Sequence, residues 1–401
     1  IYQRKDHKNF RFINLMILPG LSDFQFKDQR VLLRLDLNAP IEDGLVSNDE
    51  RLVRSLPTIN HILQNQGKLI VISHLGRPKE NGKLQTEFSL RPVVKRLEQL
   101  LNRSIILISD INKLPSIASG EMIILENVRF LEGEKSNDPV LSRKLADLAD
   151  IFVMDAFATS HRAHSSTTGV IKFSKKACAG FLLQEEVDAL LKFTSNNNGK
   201  SLAVLGGAKI STKLDLINSL CAKMDNVILG GGIANTCLLA QGFSVGNSLV
   251  EESMLEEALE LSKRNNVILP KMVVTADNIK QKGTIKSVDN IREDESIFDI
   301  APESFEEQQD IFRKADTILW NGPMGLFEEI AFAQGTNQIA NMIVSSKGFS
   351  VAGGGDTISA ADKAGVLKEL DYVSTAGGAF LEFIEGRNLP SLEALQLKWA
   401  K

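Results

Sequence analysis

FSVAGGGDT, residues 349–357, is the stretch on which the reading of this chain turns. Phe349, Val351 and Ala352 make a short apolar run of the kind that forms a buried strand. The run breaks into Gly353, Gly354 and Gly355, and Asp356-Thr357 then opens the helical pattern ISAADKAG. Glycines at a strand-to-helix turn let backbone N–H groups come close to an anion, and the helix N-terminus aims its partial positive charge at the same place. Asp356 has two available uses, as a helix cap or as a ligand to a divalent cation that bridges phosphates. Alone, the stretch can also be read as a plain glycine-rich turn with an Asp cap. The remainder of the chain repeats the theme and argues against that.

Working outward, 401 residues exceed what one core can serve, so two or three domains are expected. A hydrophobic content of 43% with 24% charged residues describes a globular protein. The net charge of −4 excludes a general nucleic-acid binder, which needs a basic surface. Cys178, Cys221 and Cys237 show no paired spacing, so neither a disulfide framework nor a zinc site is suggested, and a reducing, cytoplasmic setting fits. No apolar run approaches the roughly 20 residues of a membrane span. Residues 1–20 are basic and then mildly apolar, with Asn14 and Pro19 breaking up any signal-peptide core. They read as a disordered or non-native leader, with a targeting peptide as the alternative and Met16 as a candidate start.

From Val31 onward, strand-like runs alternate with helical patterns, which predicts parallel α/β architecture. The first half offers 31–35, 69–72, 105–108, 122–125 and 151–154 as strands; the second offers 202–205, 227–229, 317–320, 349–352 and 372–373. Between the sets, QEEVDALLKFTSNNNGK (184–200) is an amphipathic helix ending in a polar linker. The expected organisation is therefore a first domain over 21–183, a connection over 184–200 and a second domain over 201–388. Residues 389–401 are expected to pack back on the first domain. Two Rossmann-like, doubly wound parallel sheets facing a cleft would present their ligands at the carboxyl ends of the strands.

The motifs at those strand ends differ in kind. In the first half they are basic: RLDLNAP carries Asp36 and Asn38, SNDER brings Arg51, SHLGRP brings His74 and Arg77, ENVRF brings Arg129, and DAFATSHRAHSS brings His161, Arg162 and His164. A single arginine is most often a solvated surface charge, but a set at successive strand ends suits a small, multiply anionic substrate held by bidentate hydrogen bonds. In the second half the strand ends carry glycine. LGGAKISTK has Gly206-Gly207 before Lys209 and Lys213, which are spaced four apart as on one helical face. LGGGIANT, WNGPMGLFE and STAGGAF add further turns, with Glu328 a candidate acceptor for ribose hydroxyls. Neither G-x-G-x-x-G nor a Walker motif occurs at these sites, so the nucleotide site is of another kind. A polyanion on one half and a nucleotide on the other point to phosphoryl transfer, where catalysis is mostly positioning and charge neutralisation.

Taken in order and at their spacing, RLDLNAP, SHLGRP, ENVRF, DAFATSHRAHSS, GGAKISTK, GGGIANT, WNGPMGLFE, GGGDT and STAGGA resemble phosphoglycerate kinase from about Arg30 to the C-terminus. The resemblance implies reversible transfer between 1,3-bisphosphoglycerate and ADP, giving 3-phosphoglycerate and MgATP in glycolysis, by a hinge-closing monomer. It implies that Asp36, Asn38, Arg51, His74, Leu75, Gly76, Arg77, Arg129 and Arg162 hold the phosphoglycerate. Lys209, Lys213, Glu328, Gly354, Gly355, Asp356 and Thr357 would hold the nucleotide, with Asp356 nearest Mg²⁺ and with Arg51 and Lys213 catalytic. Gly207, Gly231, Asn321, Pro323, Gly377 and Gly378 would shape that pocket. The departures are Ala158, Ala301 and Ala376, where the family usually carries glycine.

A carboxylate acceptor is already ionised at pH 7, so no general base is needed among the histidines. Two rival readings remain distinguishable. A hydride-transfer enzyme predicts a dinucleotide fingerprint, and none is visible. A non-catalytic nucleotide-binding scaffold predicts loss of Arg51, Lys213 or Asp356, and all three are present.

Overall fold

The computed structural model describes residues 17–81, 83–194 and 199–400 of the chain. Two compact units emerge: Ile1–Asp188 together with Arg387–Lys401, and Ala189–Gly386.

In the first unit β1 (Arg30–Leu35) leads into an antiparallel hairpin of β2 (Ile41–Glu42) and β3 (Leu45–Val46). β4 (Lys68–Ile72), β5 (Ile106–Ile108), β6 (Met122–Leu125), β7 (Ile151–Asp155) and β8 (Lys176–Ala179) follow. All but the hairpin join one parallel sheet in the order β5-β6-β4-β1-β7-β8. A parallel sheet covered on both faces needs strands that are apolar throughout. Val31, Leu32, Leu33 and Leu35 of β1 are fully buried accordingly, and Leu33 sits between Val71 and Val153 in register. The exception within that run is Arg34, buried to 1% exposure. The chain steps from β1 to β4 on one side and later returns to β7 on the other. Ligands of doubly wound sheets collect at such a reversal, beyond the carboxyl ends of the strands.

The last helix, Pro390–Trp399, belongs to this unit: Ser391 N donates to the Ser160 carbonyl at 3.2 Å, and Leu392 and Leu395 are buried. The residues at the end of the expected leader belong to it as well. Leu18, Pro19 and Gly20 are buried, and the Pro19 carbonyl accepts from Ala179 N at 2.8 Å, extending the hydrogen bonding of β8. Residues 1–16, the bulk of that expected leader, lie outside the described residues. The division between the units falls within the helix Phe181–Thr194, and Ser195 to Asn198 of the expected linker again lie outside the described residues.

The second unit holds β9 (Ser201–Leu205), β10 (Asn226–Leu229) and β11 (Val267–Ile268). Next come β12 (Met272–Ala276), β13 (Thr284–Ser287) and β14 (Ser296–Ile300), and finally β15 (Thr317–Asn321), β16 (Phe349–Gly353) and β17 (Tyr372–Ser374). Its main sheet is parallel in the order β11-β10-β9-β15-β16-β17, so the chain reverses direction between β9 and β15. Trp320, fully buried, packs in a core with Leu202, Val204, Ile318, Ile339 and Ala352. β12, β13 and β14 form a separate antiparallel sheet, absent from the sequence reading, as are β8 and β11. Among the described residues no helix is long and apolar enough to cross a membrane, and the three cysteines are free and buried.

Candidate functional site

In the first unit the candidate side chains stand just past the carboxyl ends of β1, β4, β6 and β7. Asp36 follows β1 and is ion-paired with Arg51, on the first turn of the helix Glu50–Gln64. His74 follows β4; its Nδ1 lies 3.9 Å from Asp36 Oδ1 and 3.3 Å from Arg34 Nη2. Asn38 Oδ1 accepts from Gly76 N at 2.8 Å, which ties the loop after β4 to the loop after β1. Asn127, following β6, donates from Nδ2 to the Leu75 and Phe88 carbonyls at 2.8 and 2.9 Å. Arg129 Nη1 then donates to the Gly76 carbonyl at 2.6 Å. The backbone at buried Leu75 and half-buried Gly76 is thus held by side chains from two neighbouring strand ends.

The electrostatics report the same convergence. Burial lowers the His74 pKa well below the ordinary imidazole value, and the nearby guanidiniums of Arg34, Arg129, Arg162 and Arg51 lower it further. His164 is pushed down to about 4 by burial and then by Arg129, Arg34 and Arg162. Arg129 falls to about 10, again through burial first and then Arg162, Arg34 and Arg77. Arg77 and Arg162 are exposed, and Arg162 Nε donates to His161 Nε2 at 3.0 Å. So many cations close together repel one another, and a bound polyanion relieves that repulsion. The neutral histidines then act as hydrogen-bonding groups.

In the second unit three turns are knitted through backbone. Gly206 N donates to the Asn321 carbonyl at 3.0 Å, and a Cβ on Gly206 would meet the Pro323 oxygen at 1.8 Å. Gly231 N donates to the Met324 carbonyl at 2.9 Å, and a Cβ there would meet the Gly207 oxygen at 2.8 Å. No side chain fits at either contact. Lys213 Nζ donates to the Gly206 carbonyl at 2.6 Å and to Asn321 Oδ1 at 2.7 Å. Burial lowers its pKa to about 8 against the opposing pull of Asp356. Asn321 Nδ2 donates to the Gly353 carbonyl at 2.6 Å, and Thr357 Oγ1 accepts from Gly322 N at 2.8 Å. Gly354, at φ +100°, is the N-cap of the helix Gly355–Lys363, whose first turn carries Asp356. A backbone of that φ favours glycine. Gly355 and Gly377 leave empty the space that a Cβ would fill, and Gly378 starts the short helix Gly378–Ile384.

Lys209 and Lys213 do not share a helical face. The helix begins only at Leu214, with Lys213 as its N-cap, because residues 206–213 first run across Pro323 and Gly231 as irregular backbone. Lys209 is exposed, beside Glu251. Glu328 is exposed too, in the loop after Phe327. Sequence reasoning missed Arg34, Asn127, Glu134 and Ser166, all buried. The one available signal was an arginine inside VLLRL, where an apolar residue was due.

A family model described as phosphoglycerate kinase matches residues 21–387. A phosphoglycerate kinase from Coxiella burnetii is 45% identical over 382 residues, covering 94% of this chain and 97% of that protein. One from Francisella tularensis subsp. novicida is 45% identical over 385 residues, covering 94% and 98%. Among solved structures, phosphoglycerate kinase from Coxiella burnetii superposes with a TM-score of 0.91 at 44% identity, over 96% of this chain and all of that one. The enzyme from Pyrococcus horikoshii OT3 gives 0.80 at 31% identity, with the same coverage.

Proposed function

Since the chain belongs to the phosphoglycerate kinase family, a family of glycolytic phosphotransferases, we propose that it transfers a phosphoryl group reversibly between 1,3-bisphosphoglycerate and ADP. The observation that carries this reading is the gathering of Arg34, Arg51, Arg129 and Arg162 around a neutral His74, a site matched to a small polyanion. Asp36, Asn38, Arg51, His74, Arg77, Arg129 and Arg162 bind the phosphoglycerate, with Leu75 and Gly76 as its backbone contacts. The glycine turns, Lys209, Glu328, Thr357 and Lys213 bind the nucleotide.

Asp356 and its surroundings fit a Mg²⁺-nucleotide: the carboxylate lies on the first turn of a helix, beside Gly355, whose Cβ space is open. A Mg²⁺ held by Asp356 would supply charge neutralisation to the bound nucleotide. The rest falls to the chain. Arg51 and Lys213 oppose the charge on the transferring group, and the backbone N–H groups at the start of the helix Gly355–Lys363 add donors that need no reorganisation. The acceptor carboxylate is ionised already, so no side chain has to remove a proton. Transfer is in line and needs the reacting atoms within about 3–3.5 Å. With one ligand held on each unit, closure of the units on one another brings them together and excludes water from the acyl phosphate. We assign the protein to the cytoplasm, as a monomer.

A coupled assay of ADP phosphorylation from 1,3-bisphosphoglycerate tests the activity. Small-angle scattering tests the closure: the radius of gyration should fall with both substrates and fall less with either one. An unchanged radius in the ternary complex would remove the hinge from the mechanism.

A further inference from the structure

The basic site contains a carboxylate that the proposed mechanism does not use. Glu134 lies in the loop after β6, with its side chain 1% exposed. Both of its oxygens accept hydrogen bonds, Oε1 from Ser166 Oγ at 2.5 Å and Oε2 from Ser166 N at 2.9 Å. Ser166 Oγ in turn accepts from Arg34 Nε at 3.2 Å, and Arg34 Nη2 reaches His74 Nδ1 at 3.3 Å. Beyond His74 stand Asp36 and its partner Arg51. A continuous file of side chains therefore runs Glu134–Ser166–Arg34–His74–Asp36–Arg51.

We infer that Glu134 is a positioning residue for the basic site: acting through Ser166 and Arg34, it fixes His74 as a neutral ring whose proton sits on Nε2. A guanidinium has only donors, so the His74 nitrogen it meets must present a lone pair. A neutral imidazole unprotonated at Nδ1 carries its hydrogen on Nε2, leaving that nitrogen as a donor for an incoming anion. Arg34 is held in this pose by Ser166 and by the Leu35 carbonyl, to which it also donates, and Glu134 is the carboxylate that compensates its charge most. Fully buried and within the field of Arg129, Arg34 would otherwise be a desolvated charge facing its own kind. The next carboxylate within its field is Asp36, which already holds Arg51. Without the negative charge on Glu134, Arg34 turns to Asp36, releases His74 and competes with Arg51. Burial pushes the Glu134 carboxyl up from its ordinary value, while Ser166, Arg34 and Arg129 pull it back; two accepting oxygens fit the ionised form.

The inference rests on the phosphoglycerate reading only for its kinetic readout. Nitrogen NMR of the full chain with ¹⁵N-histidine, His74 being assigned from the His74→Gln spectrum, reads the tautomer with no assay of activity. Wild type should show a single Nε2-protonated His74. A ring protonated at Nδ1, or at both nitrogens, near neutral pH overturns the proposal. Glu134→Gln keeps the shape and removes the charge. It should mix the two tautomers and raise KM for 3-phosphoglycerate about tenfold, the lower end of what losing an orienting outer partner costs. KM for MgATP should change less than about twofold. A variant that lowers Tm while leaving the tautomer and both KM values alone makes Glu134 merely structural and also overturns the proposal. If Glu134→Gln does not fold, Ser166→Ala removes the bridging hydroxyl and retains the carboxylate; it should mix the tautomers in the same direction, and an unmixed spectrum counts against us. Wild type that shows the single tautomer but no phosphorylation of ADP would sink the functional reading and leave the positioning role standing.

Discussion

The first unit builds its site from the longest side chains available, and the second builds its site largely by leaving side chains out. Around His74 the working groups are guanidiniums on flexible stems, Arg51 braced by Asp36, beside a loop backbone that Asn38 and Asn127 hold. Around Gly206 and Gly231 they are backbone atoms packed so closely that a methyl group would collide with carbonyl oxygen. The contrast teaches how each surface meets a phosphate. Guanidiniums supply whole charges whose mutual repulsion an anion relieves, so that site gains most from a compact, highly charged ligand. The tight turns bring the start of the helix Gly355–Lys363 to the surface, where backbone N–H groups supply partial charges at a fixed place, which suits a longer ligand. Damage to the two sites should therefore look different.

The largest difference should come from Arg51→Ala. On the role proposed for Arg51, removing its charge should lower kcat by roughly 10²–10³ or more, with nucleotide affinity nearly unchanged. Steady-state kinetics beside a binding titration checks both halves of that statement, and a variant retaining above about a tenth of wild-type kcat breaks the assignment. Asp356→Asn should act the other way round. Mg²⁺-nucleotide binding should weaken about tenfold, roughly 1.4 kcal/mol, while phosphoglycerate binding stays put. Calorimetry with each ligand decides it: equal losses would reduce Asp356 to a helix cap.

A smaller effect concerns pH. Lys213 is held down at about 8, so its ammonium is present below that value and disappears as pH rises through it. kcat/KM for the nucleotide should fall on the alkaline side with an apparent pKa near this value. Lys213→Arg should abolish that limb, since guanidinium stays charged. The unfolded chain, with an ordinary lysine, binds the proton more tightly than the folded one, so stability should rise across the interval from about 8 to the usual lysine value. Smallest of all should be Ala376→Gly. Ala376 is buried and outside the left-handed region, with its N–H held by Ser374 Oγ at 3.3 Å, so restoring the family's usual glycine should alter kcat by less than about twofold. Added unfolded-state freedom should cost about 0.4–1 kcal/mol in a denaturant titration.

The same contrast governs what could be read without coordinates. The central parallel strands announce themselves because double-sided burial demands unbroken apolar runs, as in LIVI of β4 and MIIL of β6. The arginines after them were visible as breaks in that pattern, and the glycine turns as its punctuation. KACA of β8 and the two residues of β11 carry too little apolar length to stand out. β13, TIKS, is largely polar, whereas its partner β12, MVVTA, is an apolar run that the sequence reading passed over. Glu134 and Ser166 were illegible for a related reason. A glutamate in a charged loop looks solvated, and only the fold brings it 32 residues along the chain to the serine that buries it. Lys209 and Lys213 misled because spacing alone cannot say where a helix starts.

The helix Pro390–Trp399 has a consequence for how the molecule is made. The second unit is one uninterrupted stretch of chain, whereas the first is closed by residues made only after that whole stretch. Synthesis runs at about 5–20 residues per second, so the first sheet waits tens of seconds before Ser391 can reach Ser160. In that interval the surface that Leu392 and Leu395 will cover is open to other apolar partners. A chaperone that shields it has its moment there, and a chain truncated before Pro390 should show a folded second unit joined to a sticky first one.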